Sequence, residues 1–137
     1  MYYNLIMDDK MITSILQGNR PAIQDLYGNI SFKFSKGDFS LNILYYEFYD
    51  QMSAWQKDYN DEQFEYISYR QGLEEFIFTI SPIANEYKLN FRNNSSVLIL
   101  SKEEMFNLIN ETKQIIIKIL KIWYSEEEIS NIVNELF

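Results

Sequence analysis

The chain has 137 residues, 47% apolar and 17% aromatic, with a formal net charge of −8. Its size and apolar content fit one folded domain spanning residues 1–137 rather than a disordered chain. It has neither Cys nor His, which excludes disulfides, thiolate nucleophiles, Ser-His-Asp triads and Cys/His metal sites, and its negative charge repels a phosphate backbone, which argues against ordinary nucleic-acid binding.

The first residues, MYYNLIMDD, lack the basic start and long apolar run of a signal peptide. No apolar run approaches the roughly 20 residues of a membrane helix. With no Cys, these features lead us to expect a cytoplasmic protein, and the weight of Ile, Asn, Lys and Tyr fits the AT-rich genome of a bacterium or phage. Tyr2 to Met7 reads as a short strand or a helix entry. Asp8 or Asp9 would cap a helix through Met11, Ile12, Ile15 and Leu16, stopped by Gly18. Asn19-Arg20-Pro21 suggests a second short helix that turns Ile23 and Leu26 inward and ends at Gly28.

Ile30, Phe32 and Phe34 alternate with Ser31 and Lys33, the period of a half-buried strand. Ser35 to Asp38 is a turn signal, and Phe39 and Leu41 would form a return strand. Leu44, Phe48, Met52, Trp55 and Tyr59 then fall on one helical stripe. Glu47, Asp50, Asp58 and Asp61 fall on the other side, with Tyr45 and Tyr49 between, and the helix is expected to fray near Asn60.

Beyond it, Phe64 to Ser68 reads as a strand with aromatics on both faces, and Gln71 to Glu74 as a turn. Phe76 to Ile80 reads as a central strand, apolar on both sides, that Pro82 would end. Tyr87 to Phe91 is a half-exposed strand, Asn93-Asn94 a turn, and Ser96 to Leu100 a last strand. Ser101 with Glu104 forms a capping box. The helix that follows, to about Trp123, has an inner stripe of Met105, Ile109, Thr112, Ile116, Ile119 and Trp123. Phe106, Ile115, Ile117, Leu120 and Ile122 widen it. Ser125 with Glu128 repeats the box and opens a final helix that turns Ile129, Ile132, Val133 and Leu136 inward. The expected class is α+β: an antiparallel meander sheet of about four or five strands, helices mainly on one face, and two C-terminal helices.

Each candidate site has a plain alternative. The stripe Phe48, Met52 and Trp55 would be a base-stacking platform only with Lys and Arg beside it. Its neighbours are acidic, so it reads as core. Asp58 to Glu62 resembles a calcium loop in composition but lacks the ligand alternation and central Gly, and no metal or other cofactor is expected. Acidic pairs such as Glu74-Glu75 and Glu126 to Glu128 are better read as a turn and a helix start than as acid–base pairs. The broad helix from Met105 would serve either as an oligomerisation face or as buried core, leaving monomer and homodimer open. The acidic face is either a solvated helix surface or a docking surface for a basic protein. On the second reading Glu47, Asp50, Asp58, Asp61 and Glu62 make the contacts, and Tyr45 and Tyr49 anchor them.

The succession ISFKFSKGDF, YYEFYDQMSAW, the meander FEYISY, EFIFTI and YKLNF, and the capped helix SKEEMFNLINETKQIIIKIL resembles small acidic α/β proteins of bacteria that include immunity proteins paired with polymorphic or contact-dependent toxins. The resemblance covers about Ile30 to Leu120 and rests on layout and composition. It implies a non-enzymatic inhibitor that occludes a cognate toxin, with no site residue carried over. A phage-encoded nucleic-acid mimic that inhibits a host defence nuclease has the same physics, and genome neighbourhood would separate the two. A small carboxylate-dependent enzyme, limited to carboxylates, Tyr, Lys or Arg, is the third class, and a deep pocket holding a buried carboxylate would favour it.

Overall fold

The structure, a computed structural model, describes residues 2–92 and 96–137. Among these, the elements in order are β1 (Tyr2–Tyr3), α1 (Asp9–Leu16), β2 (Tyr27–Phe34), β3 (Gly37–Leu44), α2 (Tyr45–Asp58), β4 (Phe64–Ser68), β5 (Glu75–Ile83), β6 (Glu86–Phe91), β7 (Val97–Ser101), α3 (Lys102–Leu120) and α4 (Glu126–Leu136). The class is α+β with two C-terminal helices, but the strands form two antiparallel sheets, ordered β1-β2-β3 and β4-β5-β6-β7. The single meander of four or five strands is thereby corrected. β2 and β3 pair along their whole length, from Tyr27↔Leu44 to Phe34↔Gly37, and α2 begins at the next residue and carries the chain away before β4.

Three local expectations also change. The helix expected after Asn19 is a single 3-10 turn, Ile23–Asp25, and Gly28 lies inside β2 instead of ending a helix. A β-carbon on Gly28 would sit 1.9 Å from the Asn4 carbonyl oxygen, so this glycine lets the N-terminal arm cross the sheet. Pro82 does not end β5; it pairs opposite Tyr87. The β4 pairing stops at Phe64↔Ile80, so at Pro82 one side of β5 has no partner needing an N–H. The long helix stops at Leu120, which leaves Ile122 62% exposed rather than inward. The expected Asn93-Asn94 turn lies outside the described residues.

The capping boxes are present as expected. The Ser101 hydroxyl accepts from the Glu104 N–H at 3.1 Å and Glu104 accepts from the Ser101 N–H at 3.0 Å. Ser125 and Glu128 do the same for α4. Each carboxylate also ties down a distant segment. Glu104 accepts from the Ser35 N–H at 3.1 Å, fixing the β2–β3 turn, and Glu128 pairs with Arg20.

One cluster of buried apolar side chains joins both sheets to α2, α3 and α4. Phe39 on β3 is its meeting point, with ring centroids 5.9 Å from Phe48 of α2, 6.2 Å from Phe78 and 6.0 Å from Phe91 of the second sheet. Each fully buried ring of this kind stabilises the fold by about 1.5–3 kcal/mol. Two sheets without a shared hydrogen-bond ladder are thus held as one body by aromatic packing. Among the described residues no helix is long and apolar enough to cross a membrane.

Candidate functional site

The α2 sequence, YYEFYDQMSAWQKD, turns Phe48, Met52 and Trp55 into the core. Next to that stripe, Glu47, Gln51 and Trp55 follow at intervals of four and so line one side of the helix. All three bond to the backbone of β4 and its flanks. Glu47 accepts from the Tyr69 N–H at 2.8 Å, and Gln51 donates to the Ile67 carbonyl at 2.6 Å and accepts from the Ile67 N–H at 3.4 Å. The Trp55 indole N–H donates to the Glu62 carbonyl at 3.1 Å.

Two of the residues expected on the docking face are thereby reassigned. Tyr45 is fully buried, and its hydroxyl donates to the carbonyls of Asn4 and of Asn29, the latter at 3.0 Å. Burial pushes its phenol pKa up. As the first residue of α2 it points under the N-terminal arm, so it cannot anchor a partner. Glu47 is half-buried and accepts from the Tyr66 hydroxyl at 3.1 Å as well as from Tyr69. Its carboxylate holds strand to helix. The Tyr66 phenol is in turn pushed up, first by burial and then by the Glu47 charge.

Tyr49 is half-buried with its ring 4.8 Å from Phe137, where it helps hold the C-terminus. Asp50 is exposed at the rim of a shallow groove between α2, Phe106 and Phe137. Asp58 lies two helical turns further on, about 12 Å along the axis. Asp58, Asp61 and Glu62 follow one another at the C-terminal end of α2 and in the loop after it, and all are exposed.

That corner is pinned by the core beneath it. The Tyr59 N–H donates to the Trp55 carbonyl at 2.8 Å, the Glu62 N–H to the Tyr59 carbonyl at 2.9 Å, and the Asn60 side chain to the Gln56 carbonyl at 2.9 Å. Tyr59, expected in the core stripe, is instead 54% exposed among the acids, because α2 ends at Asp58 and the helical period ends with it. The C-terminal Asn60 was the signal that the period stops there. Asp61 also lies close enough to Tyr87 to add to the upward push that burial gives its phenol.

Two electrostatic facts mark this corner. Among the described residues the ion pairs are Arg20–Glu128 and Lys36–Glu86, and neither involves a corner carboxylate. The acids also crowd the end of a helix that already carries a partial negative charge of about −0.5, an arrangement that disfavours them. Lys57 in the last turn is the one basic residue there. Neither family models, curated proteins nor solved structures give a match to this chain. Among the described residues no three carboxylates converge as a metal ion would require.

Proposed function

We propose that this chain is a non-enzymatic acidic binding protein that docks and neutralises a basic protein partner through the corner formed by Asp58, Asp61 and Glu62. Asp50 extends the same acidic surface along α2, and Tyr59 supplies rigid aromatic contact area. In the setting that the resemblance implies, the protein is an immunity protein in the bacterial cytoplasm and the partner is its toxin. A toxin that cleaves nucleic acid must be basic to hold its substrate, and an acidic inhibitor meets it by complementarity.

The observation that carries this reading is the acidity of a pinned loop at the negative end of a helix, its carboxylates outside the ion pairs found among the described residues. Fold stability alone would favour neutral or basic residues there. Sites that break a local rule without a folding benefit are where function is expected. Pre-organisation lowers the ordering cost of association, and exposed charge steers a basic partner at low salt and raises its on-rate by about 10–1,000-fold.

Co-purification from the native host at low salt should recover one stoichiometric basic partner. With that partner in hand, the triple variant Asp58→Lys, Asp61→Lys, Glu62→Lys should slow association by at least tenfold, within that same ~10–1,000-fold steering range. It should also flatten the salt dependence. An association rate and salt dependence equal to wild type would sink the proposal even if a partner exists.

A further inference from the structure

A groove of about 810 Å³ opens between α1 and the first sheet. This lies within the range of small-molecule sites, about 300–1,000 Å³. One wall is the N-terminal arm and α1, presenting Ile6, Met11 and Ile15; the other includes Pro21, Tyr27 and Leu44. α1 has no buried residue. Its Met11 and Ile15 stripe, spaced i and i+4, is only half-buried and lines the groove where a helix of this pattern would ordinarily meet a core.

The charge of the groove runs against that of the molecule. Lys10, Arg20 and Arg70 all reach it, in a chain whose acids outnumber its bases 20 to 12. Arg20 already pairs with Glu128 and lies over the Tyr124 ring. Arg70 differs: its guanidinium sits over the Tyr27 ring, 3.5 Å from the centroid. Among the described residues neither Arg70 nor Lys10 has a carboxylate within ion-pairing distance. Stacking of this kind fixes a guanidinium in place while leaving its N–H edge free for a planar acceptor. Of the groove's two carboxylates, Asp8 accepts from the Met11 N–H at 2.8 Å as the cap of α1, and Asp25 is exposed.

We propose that this groove binds a small organic carboxylate with an apolar body. The body lies against Ile6, Met11, Ile15 and Leu44, and the head group takes the free edge of Arg70 with Lys10 as a second cation. Arginine suits this role because its fork matches the two carboxylate oxygens. The site is separate from the acidic corner and does not depend on the partner proposed for it.

Calorimetric titration of the whole chain tests it, with dodecanoate and 2-naphthoate as probes and dodecanol as the neutral control. At least one carboxylate should bind saturably at one equivalent. Arg70→Gln should weaken that probe about tenfold or more, the worth of a charge-assisted hydrogen bond, and leave dodecanol unchanged. Met11→Gln should weaken carboxylate and alcohol alike, and Lys10→Gln gives a second head-group variant should Arg70→Gln fail to fold by circular dichroism. Equal carboxylate affinity in wild type and the folded head-group variants overturns the proposal. So does the lack of saturable binding of both carboxylates up to about 1 mM, where a site with a Kd of about 0.1 mM would be roughly nine-tenths filled.

Discussion

Neutralising the acidic corner should make the protein more stable. The variant Asp58→Asn, Asp61→Asn, Glu62→Gln removes three negative charges and takes the formal charge from −8 to −5. It leaves the backbone bonds of the corner intact, since Trp55 reaches the carbonyl of residue 62 and not its side chain. Asp58 is the last residue of α2, within the turn where the helix dipole acts. Relieving that conflict is worth about 0.3–1 kcal/mol. Relieving repulsion among these neighbouring, solvent-screened carboxylates adds roughly a few tenths of a kcal/mol in all. A total gain near 1 kcal/mol corresponds to a rise in Tm of about 3 °C for a chain of this size. Thermal melts at 0.02 M and 1 M NaCl would check it, and the gain should shrink at high salt, where the Debye length falls to about 3 Å. A variant that melts lower than wild type, or whose gain is indifferent to salt, would refute the reasoning that these acids oppose the fold.

Gln51→Leu should cost about 1–3 kcal/mol in urea denaturation, because it strands the N–H and carbonyl of Ile67. Gly28→Ala should destabilise by about 1–3 kcal/mol, and its specific mark in hydrogen exchange should be lost protection of the Asn4 and Ile6 amides as the arm is pushed off β2. The Glu104 carboxyl is held below its ordinary pKa, first by the Ser101 N–H and then also by Ser35. Its contribution is therefore fully present above the unfolded carboxylate value and is lost as pH falls through the lowered folded one. Glu104→Gln should flatten the decline in urea midpoint between about pH 5 and pH 3, and an acid limb as steep as wild type would count against that assignment.

The parts of the fold that were legible in the sequence are those whose causes are local. Ser101 with Glu104 and Ser125 with Glu128 announce helix starts because each cap is closed within four residues. Phe48, Met52 and Trp55 were readable as a buried stripe from period alone. The misreadings come from partners distant in sequence. Alternation marks Ile30 to Phe34 as a strand but does not say that its sheet is completed by Tyr2 and Tyr3. Gly28 looks like a helix stop until the Asn4 carbonyl is seen against it. Sequence placed Tyr45 on the helix flank and Glu47 on the outer acidic face, but the N-terminal arm covers the one and β4 and its flank engage the other. The acids of the corner were visible as a charge run. Their setting at the helix end, with Tyr59 released among them, depended on where α2 stops.

The bonds from α2 to β4 have a consequence for how the molecule meets other chains. A bare outer strand offers a row of N–H and C=O groups on which a foreign segment can lay down a further strand, whether a ligand peptide or the start of a fibril. Near the end of β4 Gln51 answers both backbone groups of Ile67, and Glu47 takes the Tyr69 N–H just beyond the strand. At this end of β4 the helix takes the place of a neighbouring strand while keeping its own outer surface polar. At this end of the strand, a partner meets side chains of α2 rather than open backbone at Ile67. Loosening Gln51 would expose an aggregation template as well as weaken the fold.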